Sequence, residues 1–178
     1  MESHLESDIK PHLDLACVKL ETRKFIWKIE HFSEVLRQAK AEEKMDIDSP
    51  PFYTDRAESY GYKLKINVQP NASGSAKNGY LSVYIVIMKG EYDAILPWPF
   101  KKKVQFSLID QQEDPAQREN VTMHFIPCKN SEIFGRPKNK NNIGWGFLEF
   151  VSHKKLYSRR YIVEDTLFLQ VEISRASS

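Results

Sequence analysis

The sequence predicts an all-β chain folded as an antiparallel sandwich. Three observations carry that prediction. Apolar residues recur at a period of two in at least seven short runs. Polar or proline-containing loops separate those runs, where long helical patterns would indicate a βαβ sheet. A length of 178 residues is that of one core plus a tail, and the absence of internal repeats argues against a propeller or solenoid.

The domain is expected over residues 23–175, after a polar tail at 1–22. In the tail, Leu13, Ala16 and Leu20 follow Pro11 at helical spacing, so the tail reads either as the end of a coiled coil or as a disordered leader. From Phe25 the period becomes two, with Trp27 and Ile29 on the same face. Ser33 is placed to cap a short helix carrying Val35, Leu36 and Ala39. A charged, proline-bounded stretch from Ala41 to Pro51 then reads as a mobile loop.

Tyr62, Leu64, Ile66 and Val68 form the apolar side of the next strand, which ends in the turn-rich stretch from Pro70 to Gly79. Leu81, Val83, Ile85 and Ile87 face one way in its hairpin partner, and Tyr80, Ser82, Tyr84, Val86 and Met88 the other. Both faces are apolar, as in a central strand. Further alternating runs lie at Val104–Leu108, Val121–Phe125, Gly146–Phe150 and Leu167–Ile173.

Charge is nearly balanced, 26 basic against 24 acidic side chains. No global field would concentrate nucleic acid or an anionic membrane, so partners must be selected locally. The Lys101–Lys103 run reads as a guard against edge pairing. Two cysteines, Cys17 and Cys128, are too few for a disulfide framework or a zinc cage and fit reduced thiols. No apolar run approaches the ~18 residues of a membrane span, and the polar N-terminus is unlike a signal peptide. Asn71-Ala72-Ser73 matches the glycosylation pattern but reads as an ordinary polar loop. No catalytic motif occurs, the five histidines are dispersed, and no cofactor is implied.

The stretch Gly144-Trp145-Gly146-Phe147-Leu148-Glu149-Phe150 is more informative. Strict alternation sets Trp145, Phe147 and Glu149 opposite Leu148 and Phe150. Glycines in a strand mark a bulge or a close backbone approach, which suits an edge that accepts an extended peptide. Trp145 and Phe147 then either wall a peptide pocket or pack under a loop or against the second sheet.

Several blocks resemble the C-terminal domains of the TRAF family, within the MATH superfamily: Phe25–Ile29 (FIWKI), Ser49–Thr54 (SPPFYT), Gly61–Leu64 (GYKL), Gly90–Phe100 (GEYDAILPWPF), Phe134–Pro137 (FGRP), Gly144–Phe150 and Glu164–Leu167 (EDTL). Their order and spacing match as well. The resemblance implies an eight-stranded antiparallel sandwich that binds receptor tails or adaptor proteins along an edge strand. It implies a cytoplasmic signalling adaptor, homotrimeric in its parent protein but weakly associating or monomeric as this chain, with no nucleic-acid partner and no membrane insertion.

By the same resemblance the ligand is a P-x-E-x-x-aromatic/acidic motif lying along Gly144, Trp145, Gly146 and Phe147. Tyr84 and Ile133 line its pockets, and backbone N–H groups near Ser131, Glu132 and Ile133 receive its carboxylate. Asn67 stands where many relatives have an arginine, and Lys65 and Lys63 on the same face are the candidate substitutes. An alternative implied role is the substrate-recognition part of an E3 ubiquitin ligase whose RING lies elsewhere. A lectin-like sandwich would show the same strand pattern.

Overall fold

The computed structural model describes residues 22–55, 60–128 and 132–176. The helical spacing in the tail, Cys17 and Ser131 lie outside them. Nine strands occur among the described residues: β1 (Arg23–Ile29), β2 (Ile47–Asp48), β3 (Phe52–Tyr53), β4 (Lys63–Gln69), β5 (Tyr80–Met88), β6 (Lys103–Leu108), β7 (Val121–Phe125), β8 (Trp145–Ser152) and β9 (Leu167–Ser174). Two helices accompany them, α1 (Phe32–Lys40) and α2 (His153–Leu156). β2 and β3, two residues each, pair with successive stretches of β4 and make up one interrupted edge strand, hence nine against an expected eight.

Every ladder is antiparallel. One sheet runs β1-β9-β6-β7; the other runs β2-β4-β5-β8, with β3 also on β4. The alternating residues meet between them: Leu64, Ile66 and Val68 from one sheet, Val104, Phe106, Leu169 and Val171 from the other, all essentially without solvent contact. Each such side chain contributes roughly 1.5–3 kcal/mol by leaving water. β5 is central as its two apolar faces predicted, with seven of its nine residues buried.

The cap of α1 differs from the local one that Ser33 predicts. The helix starts one residue before Ser33, and the cap position is His31, which has a left-handed backbone and makes no side-chain cap bond. The capping group comes from far along the chain. Asp165 Oδ1 accepts from the Ser33 backbone N–H at 2.8 Å and Oδ2 from the Ser33 hydroxyl at 2.7 Å. Glu164 and Asp165 both adopt positive φ, which aspartate tolerates in turns, and so present that carboxylate to the helix. The bonds from Ser33 hold the Asp165 carboxyl below the usual carboxylate range.

The Ala41–Pro51 stretch is not a free loop either. β2 pairs with β4 through Ile47↔Val68 and Asp48↔Asn67, and the Ser49 hydroxyl accepts the Ile66 N–H at 2.9 Å. Asn71 is 1 % exposed and its amide donates to Asn78 at 2.8 Å. The glycosylation pattern is therefore a buried turn anchor, consistent with its reading as an ordinary polar segment.

The Gly90–Phe100 block serves the core. Asp93 accepts the Gly90 N–H at 2.9 Å through its carboxylate and the Trp98 indole N–H at 2.8 Å through its carbonyl. Trp98 and Phe100 flank the Tyr62 ring edge-on, at 5.0 and 4.9 Å, and the Tyr62 hydroxyl donates to the Pro97 carbonyl. Phe100 N–H then donates to the Phe134 carbonyl at 2.7 Å. That bond ties the core to the turn beside β8.

Candidate functional site

β8 bonds to β5 on one side only and ends its sheet. Its other edge has no strand partner among the described residues, leaving main-chain donors and acceptors for an added strand. Val83↔Phe147, Tyr84↔Gly146 and Ile85↔Trp145 fix the register. Paired residues share a face, and Val83 and Ile85 point into the core. Trp145 and Phe147 therefore lie on the inner face of the sheet.

The two rings pack differently on that face. Phe147 packs against Phe106 and Phe125 of the opposite sheet, with ring centroids 6.2 and 6.1 Å away. Trp145 meets the buried ring of Phe134 at 6.3 Å but remains 48 % exposed. The alternation misled because the register shifts between Leu81↔Val151 and Val83↔Phe147, where β8 bulges and Ser82 Oγ donates to the Leu148 carbonyl at 2.6 Å. Beyond the bulge Phe150 and Val151 are both in the core, so parity counted from Phe150 does not reach Trp145.

Phe147 is thus a packing residue with one side at the edge. Phe147→Ala is expected to cost about 2–3 kcal/mol, at the low end for a partly buried ring, read as a lowered urea midpoint with unchanged slope. Loss below ~0.5 kcal/mol would mean that the ring contributes little to the core.

The outer face carries a different set. Lys65, Asn67, Tyr84 and Gly144 line one cleft of about 360 Å³, together with Asp46 and Asp48 from the segment at β2. Asn67 Nδ2 donates to Asp46 and to Asp48, both at 2.8 Å, and Lys65 Nζ reaches Asp48 at 3.0 Å. Partial burial pushes the Asp48 carboxyl up, but the bonds from Asn67 and Lys65 and the charges of Lys65 and Lys44 outweigh it and hold the group below the usual range. Asp48 is an anion at neutral pH.

Glu132 and Ile133 lie in an adjoining cavity of about 660 Å³, with Arg136, Lys138 and Ile143. Glu132 opens a single 3-10 turn, Glu132–Phe134, and Ile133 packs on the core edge. Asn142 fastens that turn to the approach to β8: its amide donates to the Ile133 and Gly135 carbonyls at 2.8 and 2.9 Å, and its backbone N–H to the Ile87 carbonyl at 2.9 Å. Asn141, Asn142 and Ile143 line both cavities, so the two adjoin at the approach to β8.

Eight of the ten sequence-predicted site residues fall into three neighbouring groups rather than one pocket. Lys65, Asn67, Tyr84 and Gly144 share the outer cleft. Glu132 and Ile133 share the loop cavity, and Trp145 and Phe147 lie on the inner side. Gly146 is the tight contact with β5 between them, and Ser131 is outside the described residues. Sequence reading missed Asp46 and Asp48, which it placed in a mobile loop, and Asn142, whose side chain acts across 9 residues. Only the pairing of β2 with β4 reveals the two aspartates.

Among the described residues no cluster of three His, Cys, Asp or Glu side chains could hold a metal ion, and no helix is long and apolar enough to cross a membrane. Residues 44–170 match the family model for the TRAF/meprin MATH domain. The chain is 40 % identical over 148 residues to mouse TNF receptor-associated factor 1, covering 82 % of this chain and 34 % of that protein. It is 38 % identical over 147 residues to human TNF receptor-associated factor 2, covering 82 % and 28 %. The chain thus spans about a third or less of the length of these curated relatives. The solved structure of Notothenia coriiceps TRAF5 superposes with a TM-score of 0.79 at 30 % identity, over 98 % of this chain and 92 % of that one.

Proposed function

Because this chain belongs to the TRAF/meprin MATH domain family, we propose that it is a non-catalytic adaptor domain that captures short linear segments of partner proteins, receptor tails among them. The relatives' names associate them with TNF receptors, and receptor tails or the adaptors that join them are the partners proposed here, met in the cytoplasm. The observation that carries the reading is the unpaired edge of β8, which starts beside two adjoining cavities. An extended segment of about six residues, ~20 Å long, would add main-chain bonds along that edge and set alternate side chains into the two cavities.

A glutamate at the centre of a P-x-E-x-x motif would approach the turn at Glu132–Phe134, where Arg136 and Lys138 also line the cavity. Trp145, half exposed at the same edge, offers an aromatic anchor. Single sites of this kind bind weakly, and a trimeric parent would convert them into avidity for clustered receptors.

Fluorescence-polarisation titration with a labelled P-x-E-x-x-aromatic peptide tests the reading. Saturable binding in the micromolar range is expected, falling at least about tenfold when the central glutamate is replaced by alanine. Equal affinity for both peptides, or none for either, would reject this mode of capture.

A further inference from the structure

Deepening the peptide-capture reading and resting on it, we infer that the ligand side chain seated over the outer cleft is basic, a lysine or arginine, so that the captured segment is bipolar: acidic at its centre and cationic toward its end. Two carboxylates, Asp46 and Asp48, face one ammonium, Lys65, in the cleft wall. Asn67, the residue between them, is neutral and spends its amide on both carboxylates at 2.8 Å. Asp46 has no ion pair among the described residues. Lys44 is the weakest of the cations felt by Asp48 and is not part of the wall.

Tyr84 adds an aromatic wall, a favourable neighbour for an ammonium or guanidinium. A cation complements the two carboxylates, whereas a ligand carboxylate would meet like charge. The loop cavity has the opposite balance, Arg136 and Lys138 against Glu132. Since the two cavities adjoin at Asn141, Asn142 and Ile143, one extended segment with opposite charges at its two contact points is complementary to both. The acidic final residue that the family resemblance allows is the one this cleft disfavours.

The test is fluorescence polarisation with four labelled peptides: P-x-E-x-x-Lys, the same with a final Glu, the same with a final Phe, and P-x-A-x-x-Lys. At roughly 50 mM salt the lysine peptide is expected to bind about tenfold more tightly than the glutamate one. That ratio should shrink at roughly 300 mM, where screening shortens to a few ångströms. Asp46→Asn, an exposed position whose exchange keeps the shape, should narrow the ratio by improving the glutamate peptide, with circular dichroism and melting unchanged. Binding that depends on the central glutamate but is equal or stronger for the final-Glu peptide would overturn the bipolar assignment while leaving peptide capture standing. Absence of any central-glutamate dependence would remove both.

Discussion

Gly146→Ala is expected to cost about 3 kcal/mol, lowering the melting temperature by roughly 6–12 °C, and to abolish peptide capture in the same step. A Cβ at this position would stand 2.1 Å from the Val83 carbonyl oxygen and 2.9 Å from the Tyr84 Cα. Both are main-chain atoms of the central strand, so the clash cannot be relieved by turning a side chain. β8 would have to lift off β5 where its register and the cleft wall are set. Gly144→Ala is the internal control. Its Cβ would meet the Tyr84 Cβ at 3.1 Å and the Val86 Cγ2 at 3.3 Å, close contacts that a few tenths of an ångström relieve, and the loss should stay below about 1 kcal/mol. Urea denaturation of both variants decides the matter. Equal, small losses would mean that β8 is free to slide at its edge.

The contrast between these glycines also shows what sequence could convey. Alternation found the core because burial on one face leaves a periodic trace: Leu64, Ile66 and Val68 are read as correctly as Leu169 and Val171. Alternation failed in β8 because a bulge resets parity without leaving a compositional mark. Gly144 and Gly146 signalled a close approach, but only the β5 pairing says which of them is indispensable. Ser33 has the residue type and position of a local helix cap, whereas in the structure it donates to Asp165, 132 residues away and beyond the reach of local spacing.

For the site, the family resemblance supplied residues and the structure supplied their grouping. Lys65, Asn67 and Tyr84 were legible as outward residues of adjacent strands, and they do share a cleft. Asp46 and Asp48 were not, because a two-residue strand is too short for periodicity to register and a charged, proline-bounded stretch reads as solvent-exposed loop. Their arrival beside Asn67 through β2 changes the electrostatics of the cleft from what an arginine at position 67 would have produced. The departure at Asn67 therefore comes with acidic neighbours of its own.

Arg159→Ala should produce the second large effect, about 2–3 kcal/mol at neutral pH, far from the peptide edge. Asp110 is 0 % exposed; its Oδ2 accepts from Arg159 Nε at 2.8 Å and from the Glu119 N–H at 3.0 Å, and Arg159 also donates to the Gln117 carbonyl at 2.7 Å. Burial alone pushes the Asp110 carboxyl up, but the hydrogen bond from Arg159, the Glu119 N–H and the guanidinium charge reverse that and hold it below the usual range. Removing one partner of a buried pair costs about 3–5 kcal/mol; partial exposure of the Arg159 side chain, 30 %, reduces that.

A depressed folded-state pKa gives stability that is fully present above the unfolded value near 4 and is lost as pH falls through the folded value. Without Arg159, burial would instead raise the Asp110 pKa, so the variant regains stability on acidification while the parent loses its share. The gap between the two is thus expected to be widest above about pH 6 and to close toward pH 3. Pairing Arg159→Ala with Asp110→Asn should restore part of the loss at pH 7, because no buried charge is left uncompensated. A gap independent of pH, unchanged in the double variant, would show that the Asp110 carboxylate is adequately solvated without its arginine.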